Sequence, residues 1–178
     1  MAKAPPDKKP PTPTKPTTKT PPKPEAKPEA KPPAKAKARK PQPAFPKKNQ
    51  PPTAAAFAAR LPLALGKRFE HTRSALLKAG ISEDVYFYGP ESGWALRYRQ
   101  GEKPLCSLHI YDEQPVGIVA LDAAASAAVD WRGLSPGGQK ARKQAHGSPA
   151  LLWLDIPLEG TGVTDFRTLL RAKLAQGG

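Results

Sequence analysis

The sequence predicts an α+β fold, a small antiparallel β-meander sheet packed with helices on one face and preceded by a disordered segment rich in Pro and Lys. Three observations carry that expectation. Large apolar and polar residues alternate between Trp94 and Arg99, apolar residues recur at helical spacing over 65–79 and again over 166–174, and 15 of the 24 prolines fall within the first 50 residues.

The N-terminal segment differs sharply in composition from the rest. Residues 1–50 hold 14 of the 29 Lys and Arg but only three acids, Asp7, Glu25 and Glu29, a net charge of +11 that leaves +3 for the remainder. Phe45 is their only aromatic residue. Such a segment cannot bury enough apolar surface to offset the roughly 1–2 kcal/mol per residue that backbone ordering costs. Proline at this density also favours extended polyproline II and removes amide donors, so neither helix nor sheet propagates. The expected division is a disordered basic tail over 1–52 and a single α+β domain over 53–178, long enough for one modest core.

Within the domain, Thr53 caps a short alanine-rich helix that Pro62 ends. Leu65, Phe69, Thr72, Leu76 and Ala79 then mark an amphipathic helix over 63–79, stopped by Gly80. Val85 to Tyr88 is a short β-prone run closed by Gly89-Pro90. Trp94, Leu96 and Tyr98 share one face of the next strand and Arg97 and Arg99 the other, and Gln100-Gly101-Glu102-Lys103 turns the chain. On the return strand, Leu105 to Tyr111, Cys106, Leu108 and Ile110 lie together, with Ser107 and His109 opposite. A turn at Asp112 to Pro115 leads to a third strand over 116–121, completing a meander.

Asp122 reads as the N-cap of an alanine-rich helix, and Ser135-Pro136 as an N-cap followed by a first-turn proline. The residues from Gly137 to His146 have no large apolar face, so they form either a polar surface helix or a mobile loop. Leu151 to Ile156 is apolar except at Asp155, as expected of a strand buried on both faces or inserted centrally. Thr164 caps a final helix with Phe166, Leu169, Leu170 and Leu174 on one side.

The motifs exclude more functions than they suggest. His71, His109 and His146 do not stand at metal-ligand spacing with Cys106 or a carboxylate, and no phosphate loop, nucleophile elbow or His-Glu-x-x-His occurs. No cofactor, metal or catalytic residue is expected. Cys106 is the only cysteine, which excludes an intramolecular disulfide and fits a small buried hydrophobe. The N-terminus lacks an apolar signal-peptide core and no stretch reaches about 18 apolar residues, so a cytoplasmic protein without membrane insertion is expected.

Binding has more support. Lysines carried on an extended chain suit the phosphates of a polyanion, which require charge and reach but no fixed shape. The candidate nucleic-acid contacts are Lys27, Lys31, Lys35, Lys37, Arg39, Lys40, Lys47 and Lys48. DNA or RNA, bound without sequence preference, is the expected partner; the alternative is a small-molecule or protein-binding domain whose tail is a solvated linker. In the domain, Arg97, Arg99 and His109 can share one sheet face, with Tyr86, Tyr88 and Trp94 near its rim, and arginines beside aromatic rings can grip a phosphate or stack a planar group. The plainer reading makes Trp94, Tyr98 and Trp153 core residues and lets the arginines snorkel into water.

Two resemblances follow from the residues. In composition the tail resembles the Lys/Ala/Pro tails of linker histones and bacterial histone-like proteins. The pattern Phe87-Tyr88-Gly89, Gly93-Trp94-Ala95-Leu96-Arg97-Tyr98, Gly101-Glu102-Lys103, Leu105-Cys106 and Leu108, with Leu151-Trp153-Leu154-Ile156 and the helix from Phe166 to Leu174, resembles bacterial domain-of-unknown-function family 3788 over about residues 65–175. That family has no established activity, so the resemblance implies a fold and assigns no catalytic residues.

Overall fold

The alternating stretch that begins at Trp94 is the second strand of a six-stranded antiparallel sheet in the computed structural model, which describes residues 40–176. The strands are β1 Ser82–Phe87, β2 Trp94–Gln100, β3 Lys103–Tyr111, β4 Gln114–Asp122, β5 His146–Ser148 and β6 Leu151–Pro157, arranged β1-β2-β3-β4-β6-β5. The helices are α1 Ala54–Ala59, α2 Leu63–Lys78, α3 Ala123–Ala128, α4 Pro136–Gln144 and α5 Gly162–Ala175. The first four strands form the meander. The chain then crosses through α3 and α4 to β5 at the far edge and returns as β6 between β5 and β4.

The helices cover one face. Register places Leu96 beside Leu108, Leu108 beside Gly117 and Gly117 beside Ile156, so one row crosses four strands on the covered side. Leu96, Tyr98, Leu108, Val119, Leu121, Leu154, Phe166 and Leu169 there are fully buried. Gly117 is the gap in that row, and a Cβ on it would come within 2.5 Å of the Phe166 ring, so its lack of a side chain lets α5 lie close to the sheet. Asp122 accepts a hydrogen bond from Ala125 N at 2.8 Å and the Ser135 hydroxyl accepts one from Gly138 N, as their positions predict. The 137–146 alternative resolves to a helix as far as Gln144, and His146 opens β5. Asp165 accepts from the backbone N–H and the hydroxyl of Ser135, tying the start of α4 to α5.

Several expectations are corrected. β1 begins at Ser82, earlier than the apolar pattern suggests, because its polar residues have partners. Glu83 faces the helices, where it receives a forked pair of hydrogen bonds from Arg73 of α2 and one from the Tyr98 hydroxyl at 2.7 Å. β6 is buried on one face only: Leu154 and Ile156 point to the core while Leu151, Trp153 and Asp155 point outward. The last helix starts at Gly162, and Thr161 rather than Thr164 occupies its cap position. The folded unit also begins before residue 53. Pro43 bridges to Tyr111, Ala44 N donates to Ile110 O, Trp94 N donates to Phe45 O, and the Phe45 ring lies 4.9 Å from that of Phe57. Residues 42–47 therefore belong to the domain. The expectations for residues 1–39 lie outside the described residues.

Candidate functional site

The sheet face opposite the helices is the candidate site. Its residues follow from the period of two: Asp84, Tyr86, Arg97, Ser107, His109, Tyr111, Val116, Ile118, Ala120, Leu151, Trp153 and Asp155 alternate with the core residues just described. Tyr86, Leu151 and Trp153 are among the most exposed large apolar side chains, at 41%, 40% and 36%.

The half formed by β1, β2 and β3 is polar, with a sealed centre at Ser107 and His109 and Tyr86 exposed near its edge. Ser107 Oγ lies 2.9 Å from His109 Nε2, and the Tyr111 hydroxyl 3.2 Å from His109 Nδ1. The imidazole stacks on Tyr111 at 5.6 Å and meets the Tyr88 ring at 5.0 Å. The Tyr88 hydroxyl hydrogen-bonds the Ser107 side chain, and Ser92 closes the other end against Tyr111 and His109. Ser107 and His109 are 3% and 1% exposed. Burial pushes His109 down to about 4, so the ring is neutral at neutral pH, one nitrogen donating and the other accepting.

Arg97 is held rather than free. Its Nε donates to Asp84 Oδ1 at 3.0 Å and its Nη2 to Oδ2, and the guanidinium lies 3.9 Å from the centre of the Tyr86 ring. That hydrogen bonding, with Arg97's charge, holds the Asp84 carboxyl below its usual range. Arg99 reaches Glu102 at 3.7 Å. Charges on this face are thus paired at the β1 side, while on the other side partial loss of solvation raises the Asp155 carboxyl against the opposing pull of His146.

The half formed by β4 and β6 is apolar apart from Asp155. A cavity of about 310 Å³ lies there against Tyr88, Ser107, Ile118, Ala120, Leu151 and Trp153, with Lys103 and Lys173 at its border. Cys106 borders it from a buried position, where loss of solvation pushes its thiol up to about 12 and keeps it protonated. A volume near the low end of the small-ligand range and mostly apolar walls, with the Tyr88 and Ser107 hydroxyls and two lysines at the border, suit a small, mostly apolar group.

The expected site residues separate as follows. Arg97, His109 and Tyr88 share the open face. Arg99 joins it beyond a register shift after Tyr98, at the sheet's end. Trp94 does not: its ring packs against Phe87 at 5.3 Å on the helix-covered side and its Nε1 donates to Lys47 O at 2.9 Å. Lys40 sits 3.5 Å from Glu91, and Lys47 and Lys48 are exposed near the docked segment. Lys27, Lys31, Lys35, Lys37 and Arg39 lie outside the described residues. Sequence reasoning placed Ser107 beside His109 without naming it as a site residue, and missed Tyr111 and Trp153 as members of this face. The signal was present, since Ser107, His109 and Tyr111 stand two apart, and Leu151, Trp153 and Asp155 alternate with Leu152, Leu154 and Ile156.

Ser107 and His109 form a hydroxyl–imidazole pair, yet the geometry does not build a nucleophile. No carboxylate bonds the second ring nitrogen, the imidazole is a weak base at neutral pH, and both groups are covered by Tyr88. The network pins two tyrosines over the strands. Among the described residues no group of three or more His, Cys, Asp or Glu could hold a metal ion, and no helix is long and apolar enough to cross a membrane. No family model, curated protein or solved structure matches the chain.

Proposed function

We propose that the protein is a non-enzymatic binding protein that holds nucleic acid without sequence preference, residues 1–50 supplying charge and the open sheet face supplying a surface for unpaired bases. The observation that carries the sheet's part is the exposure of Tyr86 and Trp153 on a helix-free face, Tyr86 already covered by the Arg97 guanidinium. Rings of this kind stack bases of any identity, which suits recognition without sequence preference. The net charge of +11 over residues 1–50 supports the electrostatic part. A bacterial, cytoplasmic setting and membership of family 3788 belong to the same proposal.

The test is binding of an unstructured oligonucleotide, such as oligo-dT, over a range of salt concentrations. The full chain should bind with a steep salt dependence, and deletion of residues 1–38, which spares the docked 42–47 segment, should flatten it. Trp153→Ala should weaken binding at high salt, where stacking outlasts phosphate contact. Binding that shows no salt slope, or none at all, refutes the nucleic-acid reading.

A second reading has its own support. The charges at the β1 side are internally paired and the cavity beside Trp153 is mostly apolar, which favours a mostly apolar small molecule or protein segment on this face, with residues 1–50 as a linker. Under that reading the same oligonucleotide leaves Trp153 fluorescence unchanged.

A further inference from the structure

A second concave surface lies among the helices, and nothing in the nucleic-acid reading uses it. Between α2 and α5 runs a groove of about 360 Å³ whose floor is Leu76, Ile81, Phe166 and Leu170. It exists because α2 turns Ala75 and Ala79 toward α5, and two methyl groups cannot fill the space. On the α5 side stand Arg167 and Arg171, one helical turn apart. Neither guanidinium has an ion pair or hydrogen-bond partner among the described residues, whereas Arg73, Arg97 and Arg99 each have a carboxylate.

We propose that this groove binds a single-chain anionic amphiphile, with the acyl chain along the Leu76–Leu170 floor and the anionic head on Arg167 and Arg171. The occupant follows from complementarity. A concave apolar floor of this volume matches an aliphatic chain, and two uncompensated guanidiniums at one wall select a negative head while offering a carboxylate up to four N–H donors. A basic segment of this same chain is excluded by like charge. The inference is independent of the sheet-face reading, because the groove lies between two helices on the covered side.

The experiment titrates the full chain with dodecanoate below its micelle concentration, followed by calorimetry and by the methyl resonances of Leu76 and Leu170. The expected result is one saturable site whose occupation moves both methyls. Arg167→Gln with Arg171→Gln should weaken it about tenfold or more at an unchanged melting temperature, since both side chains are unpartnered. Ala75→Leu, at an exposed position, should block the site, and the neutral dodecyl maltoside should bind far more weakly than dodecanoate. Still methyls at about 1 mM dodecanoate, a scale at which even a weak site is half filled, overturn the proposal. Equal binding of dodecanoate and dodecyl maltoside, or unchanged affinity in the double arginine variant, overturns it as well. Oligonucleotide binding is read separately, so failure here leaves the sheet-face reading to its own test.

Discussion

The two faces of the sheet are made by the same strands and hold together by different means. On the helix-covered face, Leu96, Leu108, Val119 and Leu154 bury apolar surface against α2, α3 and α5, and stability there comes from packing. On the open face, Ser107 and His109 are equally buried, but under tyrosine rings and through hydrogen bonds. The contrast teaches that burial alone does not mark a core. A sheet can close one side with helices and half of the other with its own aromatic side chains, leaving the β4–β6 half open for contact.

The contrast can be broken at several strengths. Leu154→Ala should be the most damaging single change, costing about 2–5 kcal/mol through lost burial and an unfilled cavity, read as a shift in the urea midpoint. Should Ser107→Ala cost as much, the two faces would be equivalent. Next is acid sensitivity, which the open face should show through His109. Its pKa in the folded state is lowered from 6.5 to about 4, so the unfolded chain takes up the proton first as pH falls. The stabilisation is complete above about 6.5 and is lost as pH falls toward about 4, amounting to about 3 kcal/mol. The difference in unfolding free energy between wild type and His109→Gln should therefore change across that window, and a constant difference would show that the imidazole is not the group titrating.

Smaller effects sharpen the same comparison. Glu83→Gln removes the carboxylate that Arg73 and Tyr98 share on the covered face and should cost about 2 kcal/mol by urea denaturation. Trp153→Ala should cost about 1 kcal/mol, less than Leu154→Ala because its side chain is over a third exposed, while removing most of the fluorescence response to a ligand on the open face. A large loss of stability at Trp153 would return it to the core.

Much of this organisation was legible in the residues, for identifiable reasons. The alternation of Trp94 to Arg99 and of Cys106 to Ile110 assigned each side chain to its face, since a strand offers only two. Asp122, Ser135 and Pro136 marked helix starts because capping is local chemistry. What escaped notice depended on distant partners. Glu83 and Asp84 look hostile to a strand until Arg73, Tyr98 and Arg97 are in place. Trp153 looks like core until the open side of β6 is seen. Phe45 looks like an isolated aromatic in a proline-rich tail until Phe57 is found beside it. For the site, the grouping of Arg97 with His109 could be read from parity, whereas the Asp84 carboxylate that occupies Arg97 could not, because it comes from the neighbouring strand.

The docked segment at 42–47 has a mechanical consequence. Its backbone bonds run in sequence, Gln42 to Asp112, Ala44 to Ile110 and Phe45 to Trp94, and Gly93, at φ 67°, leaves room for the Phe45 carbonyl, which a Cβ would approach to 2.5 Å. A pull from the N-terminal side reaches these bonds one after another, beginning at Gln42, instead of loading them together. Force applied at residue 40 would enter at the end of the β2–β3 pair, beside the Ser92–Tyr111 end of the buried network, and would peel the segment away before it strained the strands.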